Sequence, residues 1–158
     1  MRARTFPRIA GAFLVSIAAV TAPEAQEAGA PLSAAAPPLT PELRARLAAA
    51  DIAPGAAYFE RKCSQCHDGA KEGGHGKGPH LWNVMGRRAG SAPGFAYSDA
   101  MRAVGRDWSY ATLDYYLSDT ERAVPGRAMN FAGIKDDALR ASVVMYLRTL
   151  SDTPAPLP

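Results

Sequence analysis

The sequence predicts a small all-α domain, rich in loops, behind an N-terminal extension. Three observations carry that expectation. Leu139, Val143, Tyr146, Leu147 and Leu150 recur with helical period between Asp136 and Leu150. No stretch alternates apolar and polar residues in the manner of a strand, and no internal repeat stands out. Residues 68–97 carry eight glycines and two prolines without sustained periodicity. A loop of that length inside a compact domain needs something to pack against.

The elements follow in chain order. Arg2, Arg4 and Arg8 precede the apolar run Ile9 to Val20, the pattern of an export signal. The run is shorter than the ~20 apolar residues of a comfortable membrane span. We therefore expect residues 1–22 to be a signal peptide cut between about Ala22 and Ala30, with a retained anchor as the alternative. The acidic Glu24 and Glu27 just after the run favour cleavage. Residues 23–50 are rich in Ala and Pro and read as a linker, with a tether to Thr40 if the anchor is kept. Thr40-Pro41-Glu42 opens a short helix in it through Ala50, expected to be solvated or loosely docked.

The folded domain is expected over residues 51–152. Asp51 caps a helix running through Cys66, and Gly55 inside it costs ~1 kcal/mol against alanine. Close approach by another helix would explain that glycine. The partner is the helix from Asp136 to Leu150, with Phe59 packing on Tyr146. Ser98 to Val104 and Ser109 to Leu117 read as two short helices, and Pro125-Gly126 as a turn before Met129. Residues 153–158 read as a flexible tail.

The formal charge of +3 is supplied by Arg2, Arg4 and Arg8; without residues 1–22 the chain has 15 basic and 15 acidic side chains. No basic patch interleaved with aromatics points to nucleic acid.

Cys63-Ser64-Gln65-Cys66-His67 contains both cysteines of the chain. Two thiols three residues apart can add to both vinyl groups of one haem, and the following imidazole can reach the iron. A thioredoxin-like pair would need a βαβ context. A structural zinc site would need a second ligand pair, and His75 and His80 have no further cysteine beside them. A disulfide across three residues would close almost no loop. Covalent haem attachment is the first reading, and an apolar plate of that size would complete an otherwise meagre core.

The pentapeptide, Gly78-Pro79-His80-Leu81, Gly94-Phe95-Ala96-Tyr97-Ser98-Asp99-Ala100 and Pro125-Gly126-Arg127-Ala128-Met129-Asn130-Phe131-Ala132-Gly133-Ile134 together resemble class I cytochrome c. The likeness is to the mitochondrial and short bacterial soluble type, over about Asp51 to Ser151. It implies a small fold whose N- and C-terminal helices cross, with short helices and long loops wrapped around one covalent haem c. It implies thioethers at Cys63 and Cys66, His67 as proximal ligand oriented by the Pro79 carbonyl, and Met129 as distal ligand with the Tyr116 phenol on its sulfur. Arg87, Tyr97 and Trp108 resemble the groups around the propionates. Gly55, Phe59, Val143 and Tyr146 resemble the packing quartet at the helix crossing.

The implied function is that of a periplasmic one-electron carrier rather than an enzyme, monomeric, and on a membrane only if its N-terminal segment is retained. Its implied partners are redox complexes: a cytochrome bc complex, a terminal oxidase or photosynthetic reaction centre, or a periplasmic dehydrogenase. Two alternatives stand beside it: a dedicated haem subunit of such a dehydrogenase, and a haem peroxidase or gas sensor with a labile Met ligand. Two departures from the family pattern matter. Met101 stands where an Asn helps hold an internal water, so a drier pocket is expected. Glu121 and Ala128 stand where lysines rim the haem edge, leaving Lys62, Arg122, Arg127 and Lys135 as the positive charge there.

Overall fold

The computed structural model describes Met1 and residues 29–158, so the expected signal peptide and most of its cleavage window lie outside the described residues. Among these residues the regular elements are all helical. They are α1 (Pro41–Ala48), α2 (Ile52–Tyr58), α3 (Asp99–Arg102), α4 (Tyr110–Ser118), α5 (Thr120–Ala123) and α6 (Asp137–Thr149). None is long and apolar enough to cross a membrane.

Each helix starts where a short polar side chain takes up an orphan amide. Thr40, Asp51, Ser98, Ser109, Asp119 and Asp136 accept from Leu43, Ala53, Met101, Thr112, Arg122 and Leu139 respectively. Ser109 and Thr112 form a reciprocal capping box. The sequence reading had no counterpart of α5, a single turn capped by Asp119.

α2 and α6 cross as expected, and the contact is backbone on backbone. A Cβ on Gly55 would lie 2.8 Å from Val143 N and closer still to the Ser142 carbonyl. Phe59 and Tyr146 meet at 5.2 Å between ring centroids. The α-helix opened by Asp51, expected to reach Cys66, ends at Tyr58. The backbone continues as one π turn, Phe59–Cys63, in which Ser64 N donates to Phe59 O at 2.9 Å. The wider turn adds a residue immediately before the second cysteine's turn, a placement common at functional sites.

The segment before Asp51 corrects the linker reading. Leu32 and Leu47 are fully buried, and Leu43 is 5% exposed. α1 packs on α6, with Arg46 Nη1 donating to Asp137 at 2.8 Å. Leu43 and Leu47 lie one turn apart, and α6 offers them an apolar face, so burial outweighs the Ala/Pro-rich composition around them. With residues 30–47 docked, a tether reaching to Thr40 is excluded.

The tail is tied down as well. Tyr110 Oη donates to Pro156 O at 2.8 Å and Arg148 Nε to Ala155 O at 2.6 Å. Just upstream, the Asp152 carboxylate accepts from Trp82 Nε1 (3.0 Å) and Asn83 Nδ2 (2.8 Å) and pairs with Lys71. These partners, Lys71 first, hold Asp152 far below the usual carboxylate range. Its folded value lies below its unfolded one, so the stabilisation is complete above the ordinary carboxylate value and is lost progressively as pH falls from there through the folded value. The Trp82 indole N–H resonance should therefore stay constant from neutral pH down to about pH 4. An inflection near that ordinary carboxylate value would show that the knot does not form in solution.

Candidate functional site

The candidate site is built from the turn after α2, the long loop, α4 and the chain following α5. His67 Nδ1 donates to the Pro79 carbonyl at 2.7 Å. That bond fixes the tautomer and leaves Nε2 as the lone-pair nitrogen. Burial holds the His67 imidazole below its ordinary pKa, against the raising effect of the Pro79 bond. The ring is thus kept neutral, as a metal ligand must be.

Gly78 is what lets the ring lie there. It is buried, its amide donates to Cys66 O at 2.8 Å, and a Cβ on it would fall 2.7 Å from both ring nitrogens of His67. The Gly-Pro pair in Gly78-Pro79 therefore supplies a flat floor and a carbonyl acceptor. The sequence reading found the acceptor and missed the floor; a glycine directly before the accepting proline was the signal.

Cys63 and Cys66 are both free thiols and half-buried. Burial, with Cys66 as a second cause, pushes the Cys63 thiol up to about 11. It is therefore not a preformed thiolate of the kind that marks redox-active cysteines. No group of three or more His, Cys, Asp or Glu side chains able to hold a metal ion occurs among the described residues.

On the other side, Tyr116 Oη donates to Met129 Sδ at 3.9 Å. Burial drives the Tyr116 phenol far above its ordinary pKa, so it stays protonated and stays a donor. Trp108 packs on Tyr116 at 5.2 Å between centroids. Met129 is held in a short loop whose Phe131 N donates to Met129 O at 3.1 Å. Thr120 Oγ1 and Arg127 Nη2 both donate to the Phe131 carbonyl, and Arg127 pairs with Glu121.

Arg87 donates to two loop carbonyls, His80 O at 2.8 Å and Trp82 O at 3.3 Å. Its backbone carbonyl accepts from Trp108 N at 2.9 Å, so Arg87 and Trp108 are neighbours on one short ladder. The Tyr97 hydroxyl accepts weakly from Ala92 N, and its ring meets Phe95 edge-on at 4.8 Å. The structure thus groups His67 with Pro79, Tyr116 with Met129 and Trp108, and Arg87 with Trp108. His75 Nε2 donates to Pro93 O at 2.8 Å while its Nδ1 accepts from His80 N. Both ring nitrogens of His75 are used within the protein.

These residues fit a haem. A neutral imidazole and a thioether are preset by hydrogen bonds, and the two free thiols lie on the turn that leads into His67. Leu81, Trp82, Met85, Met101, Met129 and Phe131 remain only partly buried against the core, an apolar lining suited to a flat apolar group.

Residues 52–151 match the family model described as Cytochrome c. The chain is 43% identical over 100 residues to a "Cytochrome c" of Chlamydomonas reinhardtii, covering 63% of this chain and 89% of that protein. It is 44% identical over 102 residues to a "Cytochrome c2" of Rhodomicrobium vannielii, covering 65% and 81%. A "Cytochrome c homolog" of Bradyrhizobium diazoefficiens is 37% identical over 134 residues, 84% of this chain and 70% of that protein. That last match is too long to be held within residues 52–158, so it reaches into the segment carrying α1. On this evidence the chain belongs to the cytochrome c family, whose members are electron-transfer proteins that bind haem c covalently and are not enzymes.

Proposed function

We propose that this protein is an exported one-electron carrier of the periplasm, with its haem held by Cys63 and Cys66 and ligated axially by His67 and Met129. The observation that carries the ligand assignment is the pair of preset donors: His67 on Pro79 O at 2.7 Å and Met129 Sδ under Tyr116 Oη at 3.9 Å. When bound, the haem iron supplies the one-electron couple, with a thioether ligand favouring the reduced state. The Pro79 carbonyl keeps the imidazole oriented and basic. Tyr116 holds the sulfur in place, and the apolar lining excludes water. Arg87, Tyr97 and Trp108 supply polar groups to the propionates. With His67 and Met129 both held to serve as ligands, the chain would leave no position open for a substrate, which supports outer-sphere transfer rather than peroxidase or gas-sensing chemistry.

The partners are redox complexes: a cytochrome bc complex, and a terminal oxidase, photosynthetic reaction centre or periplasmic dehydrogenase. Docking is brief and through a small interface. The rim charge expected to attract them is offset by carboxylates at two of its four cations, while Arg122 keeps its charge over an aromatic ring. Arg127 pairs with Glu121, Lys135 with Asp119 at 3.0 Å, and the Arg122 guanidinium lies 4.6 Å from the centre of the Tyr115 ring. Electron exchange with a candidate oxidase should therefore fall with ionic strength, but less steeply than for a lysine-rich relative. Appreciable peroxidase turnover by the native protein would overturn the carrier reading. Export is tested by the intact mass of the haem protein from its host: loss of residues 1–22 and a periplasmic fraction support it, whereas retention of them in membranes would contradict it.

A further inference from the structure

The geometry points to the stretch 30–32, ahead of α1, as a strap that holds the Met129 loop closed, with Leu32 and Tyr115 as positioning residues for the sulfur. This rests on the proposed ligation by Met129.

The contacts form an unbroken chain. Leu32 is fully buried, and its backbone N–H donates to Ala123 O, the last carbonyl of α5, at 2.8 Å. Ala123 is itself fully buried with the strap in place, so the strap both supplies that donor and keeps water from the end of α5. Arg106 Nε donates back to Leu32 O at 3.3 Å, and Tyr115 Oη donates to Ala30 O. The strap is thereby pinned at Ala30 and through both the N–H and the carbonyl of Leu32.

α5 is in turn the hanger of the Met129 loop. Thr120, its first residue, donates to Phe131 O, and Glu121 pairs with Arg127. Arg127 and Phe131 flank Met129 two residues away on either side. The strap closes one end of a four-residue helix whose other end holds the sulfur's loop. A helix this short has almost no cooperativity of its own and depends on outside contacts for its position. Releasing the strap would strip α5 of its terminal donor and open its buried end to water, freeing the short helix to shift. Such a shift would carry Arg127 and Phe131, and the sulfur between them, with it.

Added imidazole reads this coupling directly, because it competes with the sulfur for ferric iron and its success is seen as loss of the near-infrared sulfur-to-iron band. Leu32→Ala should raise the apparent imidazole affinity about tenfold, the order expected from loosening roughly one buried hydrogen bond. Tyr115→Phe removes one oxygen, folds more safely, and should raise it by a smaller factor. Leu47→Ala cuts a fully buried side chain from α1, which packs on α6, and serves as the control for general destabilisation. It should lower the thermal midpoint while leaving imidazole affinity near the parent's. Equal increases in all three variants, or none in Leu32→Ala and Tyr115→Phe, would overturn the strap. Absence of the band from the parent protein, or its survival in Met129→Ala, would instead overturn the ligation on which the strap rests.

Discussion

Gly55→Ala should lower the thermal midpoint of the haem protein by roughly 10 °C, about 3 kcal/mol of stability. The added methyl would meet the Ser142 carbonyl, Ser142 C and Val143 N. All three are backbone atoms inside α6, so no side chain can rotate away. The helices must separate, and that separation also opens the Phe59–Tyr146 contact at 5.2 Å. Helix propensity alone would favour alanine by ~1 kcal/mol, which makes the sign of the result informative. A midpoint equal to or above the parent's would mean that α2 and α6 do not cross at this distance.

Gly78→Ala should damage the site without touching a ligand. The methyl would fall 2.7 Å from both ring nitrogens of His67, so either the ring tilts or the loop carrying Pro79 retreats. Both movements break the hydrogen bond to the Pro79 carbonyl. Cys63 and Cys66 are unchanged, so the haem should still be attached and visible in the intact mass. Removing the outer partner of a metal-bound histidine commonly costs ten- to hundredfold in site integrity. The iron of this variant should accordingly show a mixed spin state at neutral pH, and the protein should lose about 1–3 kcal/mol of unfolding free energy. Parent-like spectra and unfolding free energy would mean that the loop opens freely around His67.

What the sequence disclosed follows the physics of each feature. The helix crossing was legible because α6 repeats apolar residues at helical spacing and Gly55 interrupts a helix that would otherwise prefer alanine. The pairing of His67 with the Pro79 carbonyl was legible only through resemblance, since they lie twelve positions apart across an irregular loop. The docking of Leu32, Leu43 and Leu47 was not legible. Three leucines amid Ala and Pro show no partner until α6 and α5 are placed in space. The knot at Asp152 joins residues some seventy positions apart, and no local pattern announces it. The rim charge was legible only in part: Lys62 and Arg122 are cations in sequence and fold alike, whereas Arg127 and Lys135 become members of ion pairs.

Met129 as the sulfur ligand is the claim on which carrier function, strap and rim all depend. The most direct measurement is the near-infrared absorption of the oxidised haem protein, before and after Met129→Ala. Ligation by Met129 predicts a weak sulfur-to-iron band in the parent that is abolished by the substitution. A band that persists in Met129→Ala, supplied by another methionine such as Met85, Met101 or Met145, would contradict it.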